Sequence, residues 1–104
     1  MEKFSGDRYL TRGICKLNEI NPTTYLYLWN LVDEMEVEKD CLQQFILRTK
    51  TKARREKVQV VEHLQEVPPY RIIHCFRTEH TIDAKVFVIA LDEEKSVMLL
   101  AEEC

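Results

Sequence analysis

Glycine and proline are scarce in this chain of 104 residues, which has two glycines and three prolines. A collagen-like or flexible linker protein is excluded, because both depend on these residues. Two glycines also exclude a glycine-rich phosphate loop, and with it the commonest nucleotide-binding signatures. The composition is otherwise globular, with 45% hydrophobic and 32% charged residues. This length predicts a single domain over residues 1–104.

Long apolar runs are also missing. No segment approaches the roughly 20 apolar residues that span a bilayer. The first eight residues, MEKFSGDR, lack the apolar core of a signal peptide. We therefore expect a cytoplasmic protein with no membrane partner.

The four cysteines form no C-x-x-C pair and are widely spaced, at Cys15, Cys41, Cys75 and Cys104. Disulfides are not expected in a reducing compartment. Three of the cysteines lie in apolar runs, where cysteine behaves as a small buried hydrophobe. We expect these three to be buried structural thiols and the terminal Cys104 to be exposed.

The three histidines, His63, His74 and His80, show no metal-site spacing. We therefore expect structural or surface histidines, with no metal and no cofactor. Adjacent His74 and Cys75 would point to opposite faces of a strand. One catalytic alternative stays open, a nucleophile pair of Cys41 or Cys75 with His63 or His74. Since no motif supports it, we expect no enzymatic activity and no catalytic residue.

One helix is predicted, from Pro22 to about Val37. Asn21 can cap its first turn, and proline suits the first helical position. Apolar residues recur there at helical spacing on one stripe, formed by Tyr25, Leu28, Trp29, Val32 and Met35. Before this helix, residues 8–14 predict a strand and residues 18–21 a polar connection.

After the helix the hydrophobic period changes to two, which predicts strands at 41–47, 58–65, 70–76, 84–91 and 96–101. The first two form a hairpin across the connection 48–57, and Pro68-Pro69 ends the second. This order predicts an α+β fold, with one amphipathic helix packed on a mainly antiparallel sheet of five to six strands. Strand 96–101 is expected to be an unpaired edge of the sheet. A second copy of the chain could pair with it, so we expect either a monomer or a homodimer.

Positive charge is concentrated in one segment, although the net charge is only −3. The ten-residue connection of the predicted hairpin contains six cations: Arg48, Lys50, Lys52, Arg54, Arg55 and Lys57. We expect a basic hairpin tip on an acidic body. The basic loop could grip nucleic-acid phosphates, although no aromatic residue is interleaved for base stacking. The alternative is a solvated turn held open by repulsion.

Acidic residues cluster at 33–40, 92–94 and 102–103. If the clusters share a face, they could occupy a groove that holds nucleic-acid phosphates on another protein. On the predicted helix one tyrosine points away from the apolar stripe and is a candidate contact. The partner contacts predicted on this surface are Tyr27, Asp33, Glu34, Glu36, Asp92, Glu93 and Glu94.

Several short motifs together resemble one bacterial family. They are Arg8-Tyr9-x-Thr11-Arg12-Gly13, Leu28-Trp29, Gln65-Glu66-x-Pro68-x-Tyr70 and Met98-Leu99-Leu100-Ala101-Glu102-Glu103. Through them, nearly the whole chain resembles the family named domain of unknown function 960. The resemblance implies a small cytoplasmic protein of Gram-positive bacteria, often carried on mobile elements or phage-related islands.

We expect a non-catalytic protein that acts by binding another protein. Given the mobile-element setting that the resemblance implies, the sharper hypothesis is an inhibitor of a host defence nuclease, of the anti-CRISPR kind. The alternative function is nucleic-acid binding through the basic loop 48–57.

Overall fold

Two helices cover one face of a six-stranded sheet in the computed structural model, which describes residues 3–104. The strands are β1 (Asp7–Leu10), β2 (Leu42–Thr51), β3 (Lys57–Gln65), β4 (Tyr70–Arg77), β5 (Ala84–Ala90) and β6 (Lys95–Leu100). The helices are α1 (Arg12–Ile20) and α2 (Thr24–Asp33), and 3₁₀ turns lie at Ala53–Arg55 and Ala101–Glu103. The predicted α+β fold is confirmed.

The strands follow the spatial order β1–β6–β5–β2–β3–β4. Every neighbouring pair is antiparallel except β1 and β6, which are parallel. The prediction that the last strand is an open edge is therefore wrong, because β6 lies between β1 and β5. The edges of the sheet are β1 and β4, so the homodimer edge expected at 96–101 does not exist.

The segment 8–20 differs from the predicted strand and polar connection. β1 ends at Leu10, and the Thr11 hydroxyl caps α1 by accepting a hydrogen bond from the Ile14 amide at 3.4 Å. The carboxylate of Glu103 accepts from the Thr11 hydroxyl at 2.6 Å and from the Gly13 amide at 3.2 Å. These contacts lower the pKa of Glu103. The hydrogen bond from Thr11 has the largest effect, and that from the Leu100 amide has the next largest. α1 is thus fixed by a residue 92 positions from its cap.

α2 is shorter than the predicted helix, because it begins at Thr24 and ends at Asp33. The Asn21 side chain does not cap it as predicted but accepts from the amide and hydroxyl of Thr23. The Asn21 backbone N–H instead donates to the Leu17 carbonyl and so ends α1. The apolar stripe is confirmed as core, since Leu28, Trp29 and Val32 are buried. No helix within residues 3–104 has the length and apolarity needed to cross a membrane.

The strands of the second half match the prediction closely, with one exception. Much of the predicted basic connection is strand, because β2 continues to Thr51 and β3 begins at Lys57. The long ribbon projects past β5, whose pairing with β2 stops at Leu47. The core lies between the helices and the central strands, where Phe45 and Val86 have no exposed surface. Within residues 3–104, no helix covers the other face of the sheet.

Candidate functional site

The face of the sheet opposite the helices carries alternate side chains of all six strands, and we call it the open face. Its apolar members are Tyr9, Leu42, Ile46, Val58, Val60, Leu64, Ile73, Phe87, Ile89, Val97 and Leu99. Apart from Val58 and Val60, these side chains are exposed or half-buried. Gln44 and Glu62 interrupt this set on the central strands. A partly exposed apolar face of this kind is typical of an interaction site.

The charged side chains of the open face are mostly cationic. The cations are Arg48, Lys50, Arg71, Arg77, Lys85 and Lys95, and the carboxylates are Asp7 and Glu62. Glu62 is buried beneath two of the cations, 2.5 Å from Arg71 Nε and 3.6 Å from an Arg48 guanidinium nitrogen. Since the whole chain carries a net charge of −3, the open face has the opposite sign from the rest of the molecule.

A concavity of about 370 Å³ opens on this face between β2, β3 and β4. Val60, Ile73 and Cys75 supply its apolar lining, and Arg48 and Lys50 supply positive charge. Such a lining matches an apolar anchor side chain that is flanked by a carboxylate.

The predicted basic loop is divided between two places. Arg48 and Lys50 belong to the open face, where Arg48 pairs with Glu62. The remaining cations, Lys52, Arg54, Arg55 and Lys57, lie at the end of the β2–β3 ribbon. We call residues 52–57 the hairpin tip. Two of its residues adopt left-handed backbone conformations, with φ of 66° at Arg54 and 61° at Arg55.

An open cleft of about 590 Å³ lies between the hairpin tip and the end of β4, and we call it the tip cleft. It is lined by Arg54, Arg55, Glu56, Lys57, Arg77, Thr78 and Glu79. β4 contributes Arg77 because that residue pairs with Val58 across the sheet. Sequence reasoning missed Arg77, since only the strand register brings it to the cluster and no local signal marks it.

Two of the three acidic clusters, 33–40 and 92–94, lie at the other end of the sheet, where Asp33 is the residue of the first cluster that comes near the second. The Asp7 amide donates to the Glu94 carbonyl at 2.7 Å, and Arg8 forms an ion pair with Asp33. The cluster at 102–103 lies at the opposite end of β6, where Glu103 is bound to the start of α1. We call the first group the acidic end, which contains the exposed residues Asp33, Glu34, Glu36, Asp92, Glu93 and Glu94.

Tyr27 on α2, predicted to point away from the apolar stripe, packs at the edge of the core. Its side chain is half-buried, and its ring lies 4.8 Å from that of Phe76 between the helix and the sheet. Burial raises the pKa of Tyr27, and Cys75 and Glu34 raise it further. Tyr27 therefore belongs to the margin of the core rather than to the acidic end.

The expected burial of three cysteines is also wrong, because Cys15, Cys41 and Cys75 are exposed, as is Cys104. Cys75 faces the open side of β4, whereas the side chain of His74 points to the helix side, as adjacent strand residues must. His63 shares the helix side of the sheet, so Cys75 forms a nucleophile pair with neither histidine. Among residues 3–104, no group of three or more histidine, cysteine or acidic side chains could hold a metal ion.

His63 is a structural histidine with no exposed surface. Its Nε2 lies 2.8 Å from the Gln43 side-chain oxygen, and its ring stacks on Phe45 with centroids 4.3 Å apart. The Gln43 amide nitrogen donates to the Gln65 side-chain oxygen at 2.6 Å, so Nε2 of His63 carries the proton. Burial lowers the pKa of His63 to about 4, and His74 contributes to this shift. The ring is therefore neutral at physiological pH.

Comparison with known proteins supports the fold. The chain matches no protein-family model, and no curated protein matches it. A crystal structure of a protein of unknown function from Enterococcus faecalis is similar over 100% of this chain and 97% of that chain. The TM-score is 0.72 at 15% sequence identity. At this identity the similarity shows a shared fold.

Proposed function

We propose that this is a non-catalytic cytoplasmic protein that binds another protein through the open face of its sheet. The observation that carries the proposal is a largely apolar face, interrupted at Gln44 and Glu62, on which cations outnumber carboxylates six to two. Burial of apolar area supplies the free energy of such a complex. The cations steer encounter and select an acidic partner.

Charge argues against a second copy of this chain as the occupant. Two open faces brought together would place like charges opposite each other, which costs several kcal/mol. An acidic protein has the complementary sign. Its apolar anchor would enter the concavity beside Ile73, with a carboxylate near Arg48 or Lys50.

The aromatic content of the open face argues against nucleic acid as the occupant. Sheets that bind single strands stack successive bases on neighbouring aromatic rings. Here the two aromatic side chains are Tyr9 on β1 and Phe87 on β5, with β6 between them. The Lys85 ammonium also lies over the Phe87 ring, 5.5 Å from its centroid. The remaining apolar side chains are aliphatic, which suits a protein surface.

Two adjacent isoleucines provide a matched test. Ile73 is 45% exposed on the open face, and Ile72 is 42% exposed on the other face of the same strand. We expect Ile73→Ser to weaken partner binding about tenfold or more, as loss of an anchor does, and Ile72→Ser to leave it unchanged. The measurement is capture from nuclease-treated lysate of a Gram-positive bacterium, followed by titration of the protein that is retained.

The supporting result is one acidic protein that is retained by the native chain and by Ile72→Ser but not by Ile73→Ser. Equal retention by both variants would contradict the proposal, because the open face would then be dispensable. Capture of nothing after nuclease treatment would contradict it as well.

A defence nuclease is the second candidate partner. This class of partner is proposed from the resemblance to a family found on mobile elements. The observation that favours it is the presence of two acidic clusters at the same end of the sheet. Carboxylates spread over this end could occupy a phosphate-binding groove. The same capture experiment distinguishes the two surfaces. A nuclease bound through the acidic end would be retained by Ile73→Ser and lost by the double variant Glu34→Gln, Glu36→Gln.

A further inference from the structure

We infer that the tip cleft binds the sugar–phosphate backbone of a nucleic acid without reading its bases. This site adjoins the open face, with which it shares Arg77, and lies apart from the acidic end. It brings together cations from two parts of the chain, Arg54, Arg55 and Lys57 from the hairpin tip and Arg77 from β4. A volume of about 590 Å³ is in the range of ligand-binding clefts.

The charges of the tip cleft favour an anion, because four cations line it against the two carboxylates of Glu56 and Glu79. Of the ion pairs within residues 3–104, only that between Arg77 and Glu56 involves the cleft, and its N–O distance is 3.7 Å. The other three cations of the cleft are exposed. Arginine and lysine in such a setting bind phosphate oxygens, and the guanidinium group can do so with two hydrogen bonds.

The backbone of the hairpin tip is consistent with selection for the arginine side chains. Arg54 and Arg55 are consecutive residues in the left-handed region, with φ of 66° and 61°. Glycine adopts this conformation without the steric cost that a side chain incurs. Residues held in sparsely populated backbone regions cluster at functional sites.

The composition of the cleft indicates the class of ligand. Its lining contains no aromatic or aliphatic side chain that could stack on a base. Recognition would therefore rest on phosphate contacts, which are independent of sequence and sensitive to salt. The cleft also lies at the end of the molecule away from the acidic end. A nucleic acid bound in the cleft is therefore far from the carboxylates of the acidic end, and their repulsion is weakest at this position.

The left-handed backbone allows a charge-removing variant that keeps the fold. The double variant Arg54→Gly, Arg55→Gly removes two cations from positions that glycine tolerates. We expect it to weaken binding of fluorescent 20-nucleotide single strands at low salt at least tenfold. Its plot of log affinity against log salt should become shallower by about 1.4, because two phosphate contacts to a single strand are lost. Thermal unfolding of the double variant checks that it is folded.

Controls separate this site from the open face. Arg12→Ala, which removes an exposed cation from α1, should leave oligonucleotide binding unchanged, as should Ile73→Ser. Strands of two unrelated sequences should bind within a factor of about three, since backbone contacts carry no sequence information.

Three results would overturn the inference. They are no binding at 20 mM salt, equal binding by the double glycine variant, and displacement by inorganic polyphosphate at equal phosphate concentration. The last would assign the cleft to phosphate chains in general. None of these results bears on the proposed protein-binding function, which the Ile72 and Ile73 variants test alone.

Discussion

Replacing Gly6 with alanine is expected to lower the free energy of unfolding by about 3 kcal/mol or more. A Cβ atom at position 6 would lie closer than 3 Å to the backbone of Glu94 in the β5–β6 turn. Backbone cannot rotate away as a side chain can, so the N-terminal segment must separate from the turn. Separation would break the 2.7 Å hydrogen bond from the Asp7 amide to the Glu94 carbonyl. It would also expose Phe4, which is 2% exposed in the core.

Gly13→Ala is the matched control for this prediction. Its Cβ would meet the carboxylate of Glu103 and a terminal methyl group of Leu100, both at the ends of side chains that can move. Displacing the Glu103 carboxylate would weaken its hydrogen bonds to Thr11 and Gly13, whereas alanine favours a helix over glycine by about 1 kcal/mol. Gly13→Ala should therefore destabilise the protein by less than Gly6→Ala does. Urea unfolding of both variants measures the difference. A Gly6→Ala protein as stable as the native one would show that β1 does not pack against this turn.

Acidification is expected to destabilise the protein by about 2 kcal/mol between pH 7.5 and pH 5 through His63 alone. Burial lowers the pKa of this histidine from 6.5 to about 4 in the folded state. At pH 7.5 the ring is neutral whether the chain is folded or unfolded, so the full stability is present. As the pH falls below 6.5 the unfolded chain takes up a proton and the folded protein does not. Stability is therefore lost until about pH 4, where the folded protein is protonated as well.

A variant without this titration isolates the effect. His63→Gln keeps a side-chain donor for Gln43 but cannot take up a proton, so its stability should fall about 2 kcal/mol less over this pH range. His80→Gln, which removes an exposed histidine, should lose stability as the native protein does. Urea unfolding at the two pH values measures all three proteins. If His63→Gln and the native protein lost stability equally, the assignment of a buried neutral ring would be wrong.

The second half of the fold could be predicted from the sequence because its signals are local. The turn at Pro68-Pro69 separates β3 from β4 as expected, since proline cannot donate to a strand ladder. The period of two that predicts β2 does not stop at Leu47, however, and the ribbon continues through alternating cations to Thr51. Solvated arginine and lysine side chains are compatible with a two-stranded ribbon, so their charge did not indicate a loop.

The first half of the fold could not be predicted because its determinants are distant in the chain. α1 is held by Glu103, which binds its N-cap Thr11 and the Gly13 amide. No window around residue 12 contains that carboxylate. The parallel pairing of β1 with β6 has the same character, since it joins the two ends of the chain.

The candidate sites show the same division. The sequence predicts the cations of the hairpin tip because they lie within six residues of one another, whereas Arg77 reaches the tip cleft only through the pairing of β3 with β4. The open face was not foreseen at all. Its apolar residues alternate with core residues on each strand, as in a sheet covered on both faces, and only the placement of both helices on one side reveals that it is uncovered.

Photo-cross-linking at adjacent positions tests the central claim, that the open face is the protein-binding surface, most directly. A photoreactive phenylalanine would replace Ile73 in one protein and Ile72 in another, and each would be irradiated in living Gram-positive cells. We predict a covalent adduct with one acidic protein from position 73 and none from position 72. Adducts from position 72 alone, or from neither position, would contradict the assignment of the open face.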